Sequence, residues 1–370
     1  MRVCHVVEAG GGVGNVVIDL ARAGIEAGDD VTVVYAPHRQ WPGFVENLKA
    51  IPGLKLVTTP MQREVGLHDV LDCIKLYRTL RRLGYFEVIH AHSSKAGALV
   101  RLLRVLFPKS VVIYTPHAFM TMAPDASPIY GWIERLLSHF CDAIICVSKQ
   151  EKEHALKLGI SPKLLHVIPN GVQTNYPANR LMARTRLGFA EDDFIVGFVG
   201  RLVPQKNPGR MVTAFFAAAT QRPNLRLAII GHGLLQPEVE NALTVSGIRG
   251  KVKIFEDFNG RNFMPGFDCL LCSSDYESFG LVILEALAAG VPVVTTPVGI
   301  AEEAVVSGKT GYVTADFEPL PLAISILAIA ALDPLARDEM FREARERAEV
   351  FSISRMSRET RSLYSQLLGR

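Results

Sequence analysis

The 370-residue sequence predicts an α/β fold: two parallel-sheet units of similar size facing each other across a cleft. Three observations carry that prediction. The chain is longer than one core usually organises, since domains run to roughly 100–200 residues. Short, nearly continuous Val/Ile-rich runs alternate with amphipathic stretches, the pattern of a parallel sheet covered on both faces. The alternation breaks at Pro169-Asn-Gly-Val-Gln-Thr-Asn-Tyr-Pro177, a turn-rich stretch, and restarts at Phe194-Ile-Val-Gly-Phe-Val199.

Taken in order, Arg2–Glu8 reads as a strand, Asn15–Ala27 as a helix and Asp30–Tyr35 as a second strand. Short strands follow at Glu87–His90, Val111–Tyr114, Ala143–Val147 and Leu165–Ile168, with helices near 69–83, 95–107, 129–140 and 149–158. The second half places strands at 194–199, Leu225–Ile230, Val252–Phe255, Cys269–Cys272 and Val291–Thr295, and helices near 208–219, 235–246 and 281–289. Residues 335–368 are charged and helical without a new strand. The expected division is 1–175, a linker at 176–193, a second unit at 194–350, and a helix at 351–370 packing back on the first unit.

Composition narrows the function. With 49% hydrophobic and 21% charged residues, the chain reads as a soluble globular protein. Leu322–Leu332 is its notable apolar run, short of the roughly 20 residues that span a bilayer. A strand begins at Arg2 and leaves no room for a signal peptide, so the expected location is the cytoplasm. Six cysteines do not make a disulfide framework, and Cys269-Leu-Leu-Cys272 sits inside an apolar run, as two core thiols would. Residues 1–180 carry 20 Lys/Arg against 15 Asp/Glu, and the remainder 20 against 22. That is too mild for a nucleic-acid footprint, although it permits an anionic partner on the first half.

Ser274-Asp-Tyr-Glu-Ser-Phe-Gly-Leu-Val-Ile-Leu-Glu285 leaves a strand, turns and enters an apolar helix. Backbone N–H groups at a helix start, with the positive end of its dipole, suit a phosphate or sugar oxygen. Glu277 lies in the turn, and Glu285 follows about 12 Å further along at helical rise. Two acceptor-only groups so spaced suit two hydroxyl clusters of one elongated ligand, such as a nucleotide-sugar. Gly200-Arg-Leu-Val-Pro-Gln-Lys-Asn207 places Arg201 and Lys206 in a strand-to-helix loop, on the edge where α/β proteins bind ligands. Together they would neutralise a diphosphate, above all as charge grows on a leaving group.

Gly10-Gly-Gly-Val-Gly-Asn15 follows the first strand, but Val17 occupies the third glycine position of a dinucleotide fingerprint, and Val33-Val-Tyr-Ala-Pro37 lacks the ribose-binding acid. No nicotinamide or other cofactor is expected; Gly12 and Val13 read as backbone lining for a diphosphate or sugar. Gly308-Lys-Thr310 has Glu303 where a phosphate-binding loop needs glycine, so it reads as a surface turn. His90 and His92 share a strand face, but no third ligand has suitable spacing, and no metal site is expected. Ser93 and Lys95, just after His92, read as lining for an acceptor pocket. The leucine stripe Leu99, Leu102, Leu103, Leu106 is flanked by Lys95, Arg101, Arg104 and Lys109, and Lys75, Arg78, Arg81 and Arg82 mark a second basic helix. Solvated cations around a packed stripe are the first reading of both helices; a peripheral dock on anionic lipid is the second.

Gly200-Arg201…Lys206-Asn207, the pair Glu277…Glu285, Ala289-Gly-Val-Pro-Val-Val294 and Ile168-Pro-Asn-Gly-Val172 resemble the retaining glycosyltransferases of family four, over nearly the whole chain. The resemblance implies the GT-B fold, two Rossmann-like domains with the acceptor side first and the nucleotide-sugar side second. It assigns the donor diphosphate to Arg201 and Lys206, sugar hydroxyls to Glu277 and ribose hydroxyls to Glu285. Gly200 and the backbone of Phe279, Gly280 and Leu281 complete the donor contacts. His117, in Tyr114-Thr-Pro-His-Ala-Phe119, would touch the transferred sugar, with His92, Ser93 and Lys95 on the acceptor side. Three positions depart from the common pattern: Gln173 for Asp, Ile300 for the second glycine after Gly299, and His232 for an acid. The expected reaction is retaining transfer from a nucleotide-diphosphate-sugar, with UDP favoured by family frequency, to a lipid-linked or polysaccharide/lipopolysaccharide-type acceptor. The absence of Asp-x-Asp points away from a required metal. The alternatives are a sugar-nucleotide epimerase and a non-catalytic nucleotide-sugar-binding protein.

Overall fold

The computed structural model describes the chain except Ala9, 40–42, 63–65, Leu67, 124–125, 176–178, 258–259, Arg370 and the side chain of Arg39. The chain divides into two compact units, Met1–Gly171 with Ile353–Arg370, and Val172–Ser352.

The first unit holds seven parallel strands: β1 (Arg2–Val7), β2 (Asp30–Tyr35), β3 (Lys55–Thr58), β4 (Val88–His92), β5 (Val111–Thr115), β6 (Ala143–Cys146) and β7 (Leu165–Val167). Their order, β3-β2-β1-β4-β5-β6-β7, reverses its winding between β1 and β4. The helices are α1 (Gly12–Glu26), α2 (Phe44–Lys49), α3 (His68–Leu83), α4 (Ser94–Leu102), α5 (Ile129–Leu137) and α6 (Lys149–Lys157). Strand alternation decides what each face buries. Cys4 and Val6 join Leu76 and Leu80 of α3, Leu99 and Val100 of α4 and Ala155 of α6 in one core. Val3, Val88 and Ile113 join Val16 and Leu20 of α1 and residues of the last helix in another. The helix expected over 95–107 ends at Leu102 and continues as a 3₁₀ turn, Arg104–Leu106.

The second unit has six parallel strands: β8 (Phe194–Val199), β9 (Leu225–Ile230), β10 (Val252–Phe255), β11 (Cys269–Cys272), β12 (Val293–Thr295) and β13 (Gly311–Val313). Their order is β10-β9-β8-β11-β12-β13, reversing between β8 and β11. Helices α7 (Arg180–Leu187), α8 (Pro208–Gln221), α9 (Gln236–Val245), α10 (Leu281–Ala288), α11 (Ala301–Ala304), α12 (Pro319–Ala330) and α13 (Pro334–Glu349) complete it. Met211 and Phe215 of α8, Leu243 of α9 and Ile326 of α12 cover one face of this sheet. Cys269 and Cys272 are buried free thiols of β11.

The segment expected as a linker differs from a loop. Residues 176–178 lie outside the described residues, and α7 fills much of the rest. Asn179 caps it by accepting from the Met182 N–H at 3.0 Å, and Gly188 ends it with φ 64°. Ala183 and Leu187 are buried, while Arg180 and Arg184 ion-pair with Asp268 at 2.5 and 3.2 Å. Asp268 also accepts from the Ile195 N–H at 2.7 Å, so α7 is pinned to the start of β8. The final helix, α14 (Ile353–Leu367), belongs to the first unit, where Met356, Leu363 and Tyr364 enter the core beside α1.

Candidate functional site

In an open parallel sheet, ligands settle where the winding reverses, beyond the strands' carboxyl ends. In the second unit the loops after β8 and β11 flank that point. The first is laid down against glycines: Gly200 N–H donates to Ile230 O at 3.0 Å and Leu202 N–H to His232 O at 3.0 Å. A Cβ at Gly233 would stand 2.4 Å from Leu202 O, so only glycine admits this approach. Pro204–Lys206 then form a 3₁₀ turn, and Asn207, at φ 42°, caps α8 by accepting from the Arg210 N–H at 3.0 Å.

The second loop is stitched to the first. Ser273 Oγ donates to Lys206 O at 2.9 Å, Asp275 N–H to Gln205 O at 2.9 Å, and Gln205 Nε2 to Tyr276 O at 3.1 Å. This brings the Lys206 ammonium onto Glu277 as an ion pair, and Ser274 Oγ donates to the same carboxylate oxygen at 2.8 Å. Burial pushes the Lys206 pKa down, but the attraction of Glu277 prevails and the net shift is upward, so the side chain stays a cation. One turn into α10, Glu285 accepts from Arg261 Nε at 3.1 Å. Burial raises the Glu285 pKa, and Arg261 and Lys206 oppose the rise. The Arg201 charge acts in turn on Lys206 from an exposed position. Arg201, Lys206, Glu277 and Glu285 thus share one charged neighbourhood, joined by Arg261.

Phe279–Leu281 forms the turn into α10. Its N-cap, Gly280, has no side chain to cap it and no acid lies in its first turn, so the positive end of its dipole faces this turn. Ile300 N–H donates to Phe279 O at 2.7 Å, and a Cβ on Gly299, at φ 56°, would fall 2.4 Å from that oxygen. Glycine is required at 299, whereas 300 contributes its backbone N–H. His232 is exposed.

The other expected residues lie in the first unit, along the ends of β1, β4 and β5. Gly12 and Val13 open α1. His92 ends β4 fully buried, hydrogen-bonded on both ring nitrogens: Nε2 to His5 at 3.0 Å and Nδ1 to His117 at 3.1 Å. In this conformation its ring meets His5 and His117 rather than solvent. Ser93 Oγ donates to Glu8 at 3.4 Å, and Lys95 ion-pairs with Asp69. Burial lowers His117 to about 3, which keeps its ring neutral. Non-glycine residues at positive φ are uncommon and gather at functional sites. All four among the described residues, Ser93, His117, Ala118 and Asn207, fall in these loops.

Two sequence readings need correction. Arg101 is not a solvated cation: it is wholly buried, bonded to Glu134 at 2.9 Å and stacked 4.0 Å over the Tyr114 ring. A third histidine does reach the His90–His92 pair, since parallel register sets His5 opposite His90. Arg261 and His5 escaped the sequence reading. Arg261 lies in an irregular stretch with no periodic signal, and His5 becomes visible only once β1 is paired with β4.

Residues 10–176 match the description Glycosyltransferase Family 4, and residues 180–347 match Glycosyl transferases group 1. The chain belongs to the family 4 glycosyltransferases. This glycosyltransferase is 29% identical over 247 residues to the UDP-Gal:α-D-GlcNAc-diphosphoundecaprenol α-1,3-galactosyltransferase of Escherichia coli, covering 62% of this chain and 62% of that enzyme. It is 29% identical over 351 residues to the D-inositol 3-phosphate glycosyltransferase of Kribbella flavida, covering 87% of this chain and 81% of the relative. Among solved structures, Anabaena HepE in complex with UDP and glucose superposes with a TM-score of 0.84 at 22% identity, covering 99% of this chain and 100% of HepE. The glycosyltransferase has the GT-B fold.

Proposed function

We propose that this glycosyltransferase moves a sugar from a UDP-sugar to a hydroxyl of a lipid-linked or polysaccharide/lipopolysaccharide-type acceptor, with retention of configuration and without a metal. The observation that carries the reading is the Lys206–Glu277 ion pair, formed where two stitched loops meet at the switch point of the second sheet. The UDP in the HepE complex and the UDP-Gal and undecaprenol named for the E. coli relative support the choice of donor and acceptor class.

In this reading residues 194–350 take the donor and residues 1–175 the acceptor. Arg201 and Lys206 bind the diphosphate, with Gly200 and the backbone of Phe279, Gly280 and Leu281 beside them. Glu277 holds sugar hydroxyls and Glu285 the ribose. His117 touches the transferred sugar; Gly12 and Val13 line the donor, and Ser93 and Lys95 the acceptor. The bond from the anomeric carbon to the phosphate oxygen breaks as the bond to the acceptor oxygen forms on the same face. The acceptor's proton passes to the departing phosphate, whose charge Arg201 and Lys206 stabilise.

The acceptor class favours peripheral contact with anionic lipid at the cytoplasmic face. Ile129, Trp132, Ile133 and Leu136 of α5 stand at i, i+3, i+4 and i+7 and are 59%, 70%, 37% and 64% exposed. Exposed Val70, Leu71 and Ile74 begin α3, followed by exposed Lys75, Arg78, Arg81 and Arg82. An apolar stripe beside cations is the composition of an interfacial helix. No single helix among the described residues is long and apolar enough to cross a membrane.

The test is a panel of UDP-, GDP- and ADP-sugars with EDTA present, read by thermal shift and then by NMR of the product. A UDP-sugar should raise Tm, because only the folded chain binds it, and the product should keep the donor's anomeric configuration. An inverted product, loss of transfer on chelation, or a shift confined to another nucleotide would each overturn its part of the reading.

A further inference from the structure

The two loops that meet at the Lys206–Glu277 pair are joined by a second ion pair. Arg210, the third residue of α8, donates through Nη1 to Ser273 O at 2.8 Å and pairs through Nη2 with Asp275 Oδ1 at 2.7 Å. Asp275 Oδ1 also accepts from Asn207 Nδ2 at 3.1 Å, and Asn207 Oδ1 accepts from the Arg210 N–H at 3.0 Å. The three residues close a ring in which each is held by the other two. The Arg210 guanidinium further lies 5.4 Å from the centre of the Phe317 ring, in the segment between β13 and α12.

Neither helix nor global stability accounts for this arrangement. Helix α8 has no acid in its first turn, so a cation there works against the positive end of the helix dipole. The Asp275 side chain is 40% exposed, and an ion pair so open to water adds little to the stability of the whole chain. What the ring fixes is local geometry. Asn207 follows Lys206 directly and holds φ 42°, a left-handed conformation that a non-glycine residue keeps where its surroundings determine it. Asp275 precedes Glu277 by two residues. Between them, Ser274 donates through Oγ to Glu277 at 2.8 Å while its carbonyl accepts from Thr296 Oγ1 at 2.7 Å. The ring therefore borders the cation on one loop and the carboxylate on the other.

We infer that Arg210 and Asp275 are positioning residues, a clasp that holds the loops after β8 and β11 in the register at which Lys206 meets Glu277. In the donor site this register sets the diphosphate against the transferred sugar. That kinetic consequence rests on the transferase reading above; the clasp does not.

The experiment compares Arg210→Ala, Asp275→Ala, the double variant and Asp275→Asn in the whole protein, by hydrogen–deuterium exchange, Tm and steady-state turnover of a UDP-sugar. Each Ala variant should keep a Tm close to wild type and exchange faster at 205–207 and 273–281, with the first unit unchanged. Each should lower kcat roughly tenfold, less than the about 10²-fold that a misplacement of 1 Å can cost. The double variant should lose no more than either single one, because both changes open the same ring. Asp275→Asn keeps the Oδ1 that accepts from Arg210 and Asn207, and should restore slow exchange and kcat; this rescue separates position from charge and from folding. The inference is overturned by Ala variants that exchange like wild type, by faster exchange with unchanged kcat, by losses that multiply in the double variant, or by an Asn variant as impaired as the Ala one. If wild type turns over no sugar donor, the kinetic consequence falls with the transferase reading, and the exchange rates still decide the clasp.

Discussion

Lys206 and Glu277 are each largely buried, and each is tolerable there because the other is present. Removing one partner of such a pair leaves an uncompensated charge and costs about 3–5 kcal/mol. Glu285 depends similarly on Arg261, whose guanidinium opposes the upward push of burial on the carboxyl. Arg261→Ala should therefore loosen the ribose contact proposed for Glu285 before it touches the chemistry. We expect donor KM to rise roughly tenfold with kcat nearly unchanged, the signature of lost uniform binding. A fall in kcat at constant KM would contradict the role given to Glu285. The carboxylates were legible because they flank a strand-to-helix turn, although α10 begins only at Leu281, so Glu277 stays in the turn and Glu285 lies one turn into the helix. Arg261 was not: it reaches Glu285 from 24 residues earlier in the chain, across β11, and nothing local announces the pairing. The histidine cluster was half legible for a related reason, since period two shows His90 and His92 on one face while inter-strand register alone adds His5.

Elements with strong periodicity and clear ends were readable, and α6 is an example. Ser148 caps it by accepting from the Glu151 N–H at 3.1 Å, and Glu151 Oε2 accepts from the Val147 N–H at 2.7 Å. The other carboxyl oxygen, Oε1, is buried without a hydrogen-bond partner, as suits a protonated acid. Burial pushes the Glu151 pKa up to about 8, against roughly 4.3 in an unfolded chain. Between those values the folded chain holds the extra proton, so stability is full below the window and falls as pH rises through it. Glu151→Gln keeps the acceptor for Val147 and removes the titration. Its Tm should change less than wild type between pH 5 and pH 8, and exceed wild type at the upper end. Equal slopes would show that Glu151 is ionised throughout. Elements that were missed lack such signals: β3 is four residues on a sheet edge, and β13 is three. The expected 95–107 helix ends early, at Leu102, and the chain tightens into a 3₁₀ turn before Pro108, which cannot continue a helix.

At the scale of the whole molecule, the restart of strand alternation marked two sheets of similar size, and the strand orders place the winding reversals beside the loops that carry the motifs. Within the charged stretch 335–368, α13 belongs to the second unit and α14 to the first. Val172 and Ser352, the ends of the second unit, are bridged, and Val172 N–H donates to Phe351 O at 2.8 Å. The central claim is that the second unit grips a nucleotide diphosphate with two cations as the sugar departs. Its most direct test is the turnover number of Arg201→Ala and of Lys206→Ala with a UDP-sugar and acceptor, alongside each variant's Tm to confirm folding. Each substitution should lower kcat by about 10²-fold or more, the usual effect of losing one group that stabilises developing charge. Folded variants that both turn over like wild type would contradict it.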